Sequence, residues 1–326
     1  MTAGMAAAAN WTTAAIPSLK GRNFIVTGAN SGIGYRAASV LAAKGAHVVL
    51  ACRDPGRGAD AVADIMHDVP HADVVLAELD LASLASVRRF ADGVLEQGKP
   101  LHGLINNAGV MAPPKRLETR DGFELQFGTN VLGHFALTAH VMPALQRASS
   151  SPEGARVVTL ASIAHKRGRI AFDDLQSTRH YSPMGSYAQS KLADLMFALE
   201  LDRRLRAAGS SILSIAVHPG VAATNLFRAG DYHGLEKAAR DAAGPLIGWV
   251  LNSDAAGALP TLYAATADTV DSGGYYGPQG LFEARGRRVG PASIAPQARD
   301  PAAATRLWAA CETLTGTSFS VQAPKA

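Results

Sequence analysis

Thr27-Gly28-Ala29-Asn30-Ser31-Gly32-Ile33-Gly34 is the stretch on which the reading of this chain turns. It closes a short apolar β-branched run at 23–27 and opens a helical pattern at 35–44. Glycines at such a junction let the backbone turn tightly and come close to a pyrophosphate. The helix behind them offers free N–H groups and the positive end of a dipole. The spacing Gly28-x3-Gly32-x-Gly34 differs from the Gly-x-Gly-x-x-Gly of other dinucleotide folds. A glycine cluster alone is more often just a turn. Set between a first strand and a first helix, it makes Gly28, Asn30, Ser31, Gly32, Ile33 and Gly34 candidates for holding a nucleotide.

Outward from this stretch the same alternation continues. Apolar runs at 47–51, 74–79, 103–106, 156–160 and 212–217 alternate with amphipathic segments at 59–67, 83–96, 121–146 and 187–207. Continuous apolar runs imply strands buried on both sheet faces. Strand–helix alternation of this length implies βαβ units with right-handed crossovers. The expected fold is α/β, a Rossmann-type doubly wound parallel sheet with helices on both faces. One domain should span 18–316, with a loosely attached N-terminal extension at 1–17 and a tail at 317–326. After Pro219-Gly220 the helical pattern is broken by Gly230, Gly234, Gly244 and Pro245, so 221–252 reads as a small substrate flap. Residues 273–276 read as a last short strand. A C-terminal helix at 300–314 has Asp300 at its N-cap, Pro301 at its first position and Gly316 beyond its end.

Composition excludes several classes. The formal charge of +4 is small and dispersed, which argues against a nucleic-acid partner. The densest basic run, His165-Lys166-Arg167-Gly168-Arg169, reads as a solvated loop. The two cysteines, Cys52 and Cys311, supply no disulfide framework and no metal pattern, which suits a reducing, cytoplasmic setting. No run approaches the roughly 20 apolar residues of a membrane span. Residues 1–15 lack the pattern of a signal peptide.

Two features point to chemistry. At the end of the second strand, Arg53 stands where NAD-binding proteins usually have an acidic group for the ribose hydroxyls. Arginine there can grip a 2′-phosphate bidentately, so NADP(H) is preferred over NAD(H). The alternative leaves Arg53 solvated and gives the ribose to Asp54. Further on, Tyr187-Ala188-Gln189-Ser190-Lys191 places a phenol and an ammonium on one helix face. A cation beside a phenol favours the phenolate, which would let the pair act as a general acid/base. Tyr-x-x-x-Lys alone is common by chance in helices.

The motifs combine into a resemblance. In order come Thr27–Gly34, Asp80 after the third strand, Asn106-Asn107-Ala108-Gly109 after the fourth, and Asn130 on the long helix. Ser162 after the fifth strand, Tyr187/Lys191, and Pro219-Gly220 after the sixth complete the set. This set is similar to the short-chain dehydrogenases/reductases. Within that family, Ala51-Cys52-Arg53-Asp54, Gln126-Phe127-Gly128-Thr129-Asn130, Gly133-His134-Phe135 and Ser190-Lys191-Leu192-Ala193 resemble retinol-dehydrogenase-like and WW-domain-oxidoreductase-like members. Light-dependent protochlorophyllide reductases look similar too, but carry a cysteine where this chain has Ala193.

The resemblance implies roles. Asp80 and Leu81 would lie against adenine, and Asn107, Ala108 and Gly109 would line the cofactor channel. Pro219, Gly220 and Thr224 would fix the nicotinamide amide. Ser162 would bond the substrate oxygen, and Tyr187 would pass the proton. Lys191 would hold the ribose, and Asn130 would anchor a relay water. Taken singly, Asn130 is more often a helix-bending residue, Ser162 a turn residue and Thr224 a cap. Ser162 and Tyr187 are 25 positions apart (162 to 187), so 164–184 reads as an insert at the rim of the site.

The activity implied is hydride transfer between NADP(H) and the carbonyl or alcohol of a hydrophobic small molecule, with no metal. Apolar flap residues Leu226, Phe227, Leu246, Ile247 and Trp249 would close over it. The competing function is a non-catalytic NADP(H)-binding redox sensor that binds a partner protein. The family also implies a homodimer or homotetramer built through the two long helices that carry Asn130 and Tyr187.

Overall fold

The computed structural model describes residues 11–151, 154–220 and 252–321. Its strands are β1 (Asn23–Thr27), β2 (His47–Cys52), β3 (Asp73–Glu78), β4 (Gly103–Asn106), β5 (Arg156–Leu160), β6 (Leu213–Val217), β7 (Tyr275–Pro278) and β8 (Val289–Pro291). They form one sheet in the order β3-β2-β1-β4-β5-β6-β7-β8. All neighbours pair in parallel except β7 with β8. The order reverses between β1 and β4, and ligand crevices open at the carboxyl ends of strands at such a point.

The helices are α1 (Gly32–Ala43), α2 (Pro55–Asp68), α3 (Leu84–Glu96), α4 (Gly133–Ser149), α5 (Pro183–Ala207), α6 (Asp254–Thr266) and α7 (Pro301–Thr315). Two apolar cores lie on the two sheet faces. Leu41 of α1, Ile65 of α2 and Tyr263 of α6 build one. Phe90 of α3, Leu137 of α4, Leu195 of α5 and Trp308 of α7 build the other. The doubly wound architecture is thus as the alternation predicts.

Local chemistry explains where the element boundaries differ from the sequence reading. Pro55 starts α2 because Asp54 caps it, accepting from Arg57 N at 3.1 Å; the glycines at 56 and 58 hide this first turn. β3 is the sheet edge, so its burial alternates and Val75 is 41% exposed, unlike a strand covered on both faces. The segment read as one helix over 121–146 is not one. Asp121 instead accepts from Leu84 N at the start of α3. A π-helical turn, Phe127–Leu132, then precedes α4, with the Glu124 carboxylate accepting from Gln126 N and Phe127 N. β8 was not legible, since Val-Gly-Pro carries no periodicity.

Both ends are better attached than their composition suggests. Trp11, Ile16 and Leu19 are buried, and Trp11 meets Tyr263 edge-on at 5.4 Å. The extension therefore joins the core from Trp11 onward. At the other end Asp300 caps α7 through Ala302 N and Ala303 N, and Gly316 ends it with φ of 60°. Phe135 of α4, Phe197 of α5, Trp308 of α7 and Phe319 of the tail form one aromatic cluster. The basic run is also not a solvated loop throughout: His165 is fully buried, and Lys166 pairs with Glu283 at 2.8 Å.

Trp308 and Phe319 cover Phe135 of α4 and Phe197 of α5, the helices through which the resemblance implies self-association. Trp308→Ala should lower unfolding stability by about 3–5 kcal/mol, as buried tryptophans do. The urea midpoint measures this; an unmoved midpoint would show that α7 is only loosely held.

Candidate active site

Thr27, the last residue of β1, sets the geometry. Its hydroxyl oxygen accepts from Asn107 N and Ala108 N, both at 2.9 Å. It lies 2.9 Å from His134 Nε2. Burial pushes His134 down to about 4, so the ring is neutral. His134 Nδ1 donates to Asn130 O at 2.8 Å, which leaves Nε2 to accept from Thr27. One buried chain thus joins the nucleotide turn, the end of β4 and the π-helical turn.

The nucleotide turn itself is built for close approach. Gly28 has φ of +65°, a left-handed conformation that favours glycine. A Cβ on Gly34 would sit 2.4 Å from Asn107 Nδ2 and 2.5 Å from Gly28 O. Asn107 Nδ2 already donates to Thr27 O at 2.7 Å, bracing the turn from β4. The first turn of α1 has no acidic residue, and Ser31 makes no side-chain cap bond. Its amides are therefore open to an anion, which fits a cofactor diphosphate.

One cleft of about 1050 Å³ runs from this turn across the sheet ends. It is lined by Gly28, Asn30, Ser31, Gly32, Ile33, Gly34, Arg53, Asp80, Leu81, Asn107, Ala108 and Gly109, and further along by Ser162, Tyr187, Lys191, Pro219 and Gly220. Thr224 and the apolar flap residues lie outside the described residues. At one end Arg53 and Arg57 line the cleft beside Asp54. Both Asp54 oxygens are engaged by Arg57, Oδ1 by its backbone N–H and Oδ2 by Nε at 2.9 Å. At the middle, Asp80 Oδ1 accepts from Ala82 N, which fixes the carboxylate that lines the wall.

At the reacting end Tyr187 and Lys191 project from α5, where Ser182 caps the helix and Pro183 starts it. Both are buried side chains, and Lys191 Nζ lies 6.0 Å from the Tyr187 ring centre. The ammonium donates to Leu160 O and Asp194 Oδ2, each at 2.8 Å. Burial alone would lower the Lys191 pKa, but the Asp194 carboxylate and Tyr187 turn the shift upward, so the amine stays charged. Ser162 Oγ accepts from Ala164 N at 3.2 Å and caps a short 3₁₀ turn over Ile163–Arg167. Its hydroxyl hydrogen has no acceptor among the described residues.

Asn130 does not line the cleft, and its amide is spent inside the protein. Oδ1 accepts from Val110 N at 2.8 Å, and Nδ2 donates to Val110 O and Ser190 Oγ. The side chain therefore braces the cleft wall against α5. Sequence reasoning missed Arg57, hidden in the first turn of α2, and Asp194, one turn beyond the lysine. It also missed Val110, Met111 and Phe282 at the rim, which carry no motif, whereas Met184 ends the 164–184 insert placed there. Phe282 sits there in a left-handed backbone conformation, φ 52°, next to the Glu283–Lys166 pair.

A dinucleotide cradle that shares one cleft with a charged lysine and a buried tyrosine defines a nicotinamide-dependent oxidoreductase. Residues 22–231 match the family described as short chain dehydrogenase. Human retinol dehydrogenase 13 is 41% identical over 311 residues, 94% of this chain and 88% of that protein. Mouse polyprenol dehydrogenase is 43% identical over 303 residues, 92% of this chain and 86% of that protein. The crystal structure of an uncharacterized Mycobacterium paratuberculosis protein, 41% identical, matches with a TM-score of 0.76 over 95% of this chain and 99% of that one. The chain belongs to the short-chain dehydrogenases/reductases, NAD(P)-dependent oxidoreductases that act on CH–OH groups.

Gly34→Ala should weaken NADPH binding at least about tenfold, as a backbone clash in the cradle costs more than about 1.4 kcal/mol. Cofactor fluorescence titration measures it. Undiminished affinity in a folded variant would place the diphosphate elsewhere.

Proposed function

We propose that this enzyme transfers a hydride between NADP(H) and the carbonyl or carbinol carbon of a long apolar alcohol or aldehyde, with Tyr187 as the proton donor or acceptor. The observation that carries the reading is the buried Lys191 ammonium 6.0 Å from the Tyr187 ring, in the same cleft as the nucleotide turn. The nicotinamide supplies or accepts the hydride, which is the cofactor's own chemistry. In reduction the Tyr187 hydroxyl gives its proton to the oxygen on which charge develops. The Ser162 hydroxyl, with its hydrogen uncommitted, donates to that same oxygen. Lys191 stabilises the phenolate left behind. In oxidation the same groups run in reverse.

The preference for NADP(H) is supported by how Asp54 is used. An acidic side chain that caps α2 and pairs with Arg57 is poorly placed to receive ribose hydroxyls. Arg53 and Arg57 instead offer two guanidinium groups at the cleft end. The apolar substrate is supported by the rim of Val110, Met111, Met184 and Phe282. The names of the retinol and polyprenol dehydrogenases point the same way. Retention of Ser162, Tyr187 and Lys191 around one cleft speaks against a binding-only sensor. The buried free thiols Cys52 and Cys311 support the cytoplasmic reading, and no described helix is long and apolar enough to cross a membrane.

Turnover of a panel of long-chain and isoprenoid aldehydes with NADPH tests the reading. Tyr187→Phe should fold, bind NADPH and lose about 10²–10⁴ in kcat, the usual worth of a positioned acid/base. Turnover at the unmodified rate would refute the mechanism. Arg53→Glu should raise KM for NADPH far more than KM for NADH. Equal effects on both would sink the phosphate assignment.

A further inference from the structure

Lys191 is held from behind. An ammonium has three N–H donors. One goes to Leu160 O and one to Asp194 Oδ2, which leaves a single donor for the cleft side. Asp194 follows one helical turn after Lys191, is itself 3% exposed, and does not line the cleft. It faces α7, where the buried Cys311 thiol is raised mainly by burial and further by the Asp194 charge. Burial pushes Asp194 up to about 6, while Lys191 pulls it back. At neutral pH the two therefore form an ion pair of no net charge. An ammonium so paired favours a nearby phenolate less than an unpaired one would, because the carboxylate's field opposes it.

We propose that Asp194 is a positioning residue of the proton-transfer centre: it fixes the Lys191 ammonium and, through its own charge, sets the pH at which Tyr187 exchanges its proton. This rests on the reading of Tyr187 as acid/base. Other groups face the same centre. Tyr275 approaches Tyr187 from β7, and Lys166 and Arg167 line the rim. Glu312 stands with Cys311 on α7, and His134 faces Lys191 from α4.

Asp194→Asn keeps an acceptor for Lys191 and removes the charge. The sign follows directly: losing a negative neighbour favours the phenolate. The midpoint of the pH–rate profile for alcohol oxidation should therefore move to lower pH by about half a unit or more. In the cofactor-free protein, the tyrosinate absorbance change that Tyr187→Phe abolishes should move the same way. Asp194→Glu, which keeps the charge, should leave both midpoints in place. A rate lowered equally at all pH, with neither midpoint moved, would make Asp194 merely structural and overturn the assignment. Asp194→Ser is the second neutral variant, and failure of both neutral variants to fold also overturns it. Tyr187→Phe separates the two ideas: normal turnover there removes the acid/base reading itself, whereas its loss beside an unmoved Asp194→Asn profile removes only the role of Asp194.

Discussion

The hydroxyl of Thr27 is the constraint on which the site depends. It is a single buried atom at the end of β1, and it meets the backbone after β4 and the His134 ring in the first turn of α4. His134 passes the link to Asn130 O, and Asn130 passes it through its side chain to Val110 and to Ser190 of α5. The glycine turn after β1 and the helix that carries Tyr187 are therefore registered against each other through buried hydrogen bonds. Buried polar groups of this kind are costly when left half-satisfied and rigid when complete. Each link named here has its partner.

The second constraint is the burial of Lys191. Removing an ammonium from water costs several kcal/mol unless partners compensate. Leu160 O and Asp194 supply that compensation, so a charged amine can stand at the base of the cleft. The π-helical turn at Phe127–Leu132 belongs to the same design. It carries Asn130, whose backbone O accepts from His134 Nδ1 at 2.8 Å.

Much of this was legible in the sequence, and the reasons are physical. Strand and helix alternation follows from burial on two sheet faces, so β1, β4 and β5 are read to the residue. Gly28 and Gly34 are legible because a left-handed turn favours glycine at 28 and a Cβ at 34 would clash with the backbone of the turn. What escaped reading depends on long-range packing. Asn130 was legible as a site residue but not as a brace, since its partner Val110 lies 20 positions away. Arg57 and Asp194 are ordinary surface-type residues until the fold turns one toward the cleft end and buries the other beneath α7. Trp11 and Phe319 look like debris at the chain ends because their partners, Tyr263 and Trp308, are far off in sequence.

The central claim is that one cleft couples hydride transfer from a bound nicotinamide to a proton from Tyr187. Isotope transfer reads this most directly. NADPH deuterated at its transferable position would be incubated with a long-chain aldehyde and either the unmodified enzyme or Tyr187→Phe, at cofactor saturation for both. Deuterium should appear at the carbinol carbon with the unmodified enzyme, and in the variant at about 1% of that rate or less, the worth of one positioned acid. Deuterated alcohol formed at equal rates by both proteins would contradict the coupling.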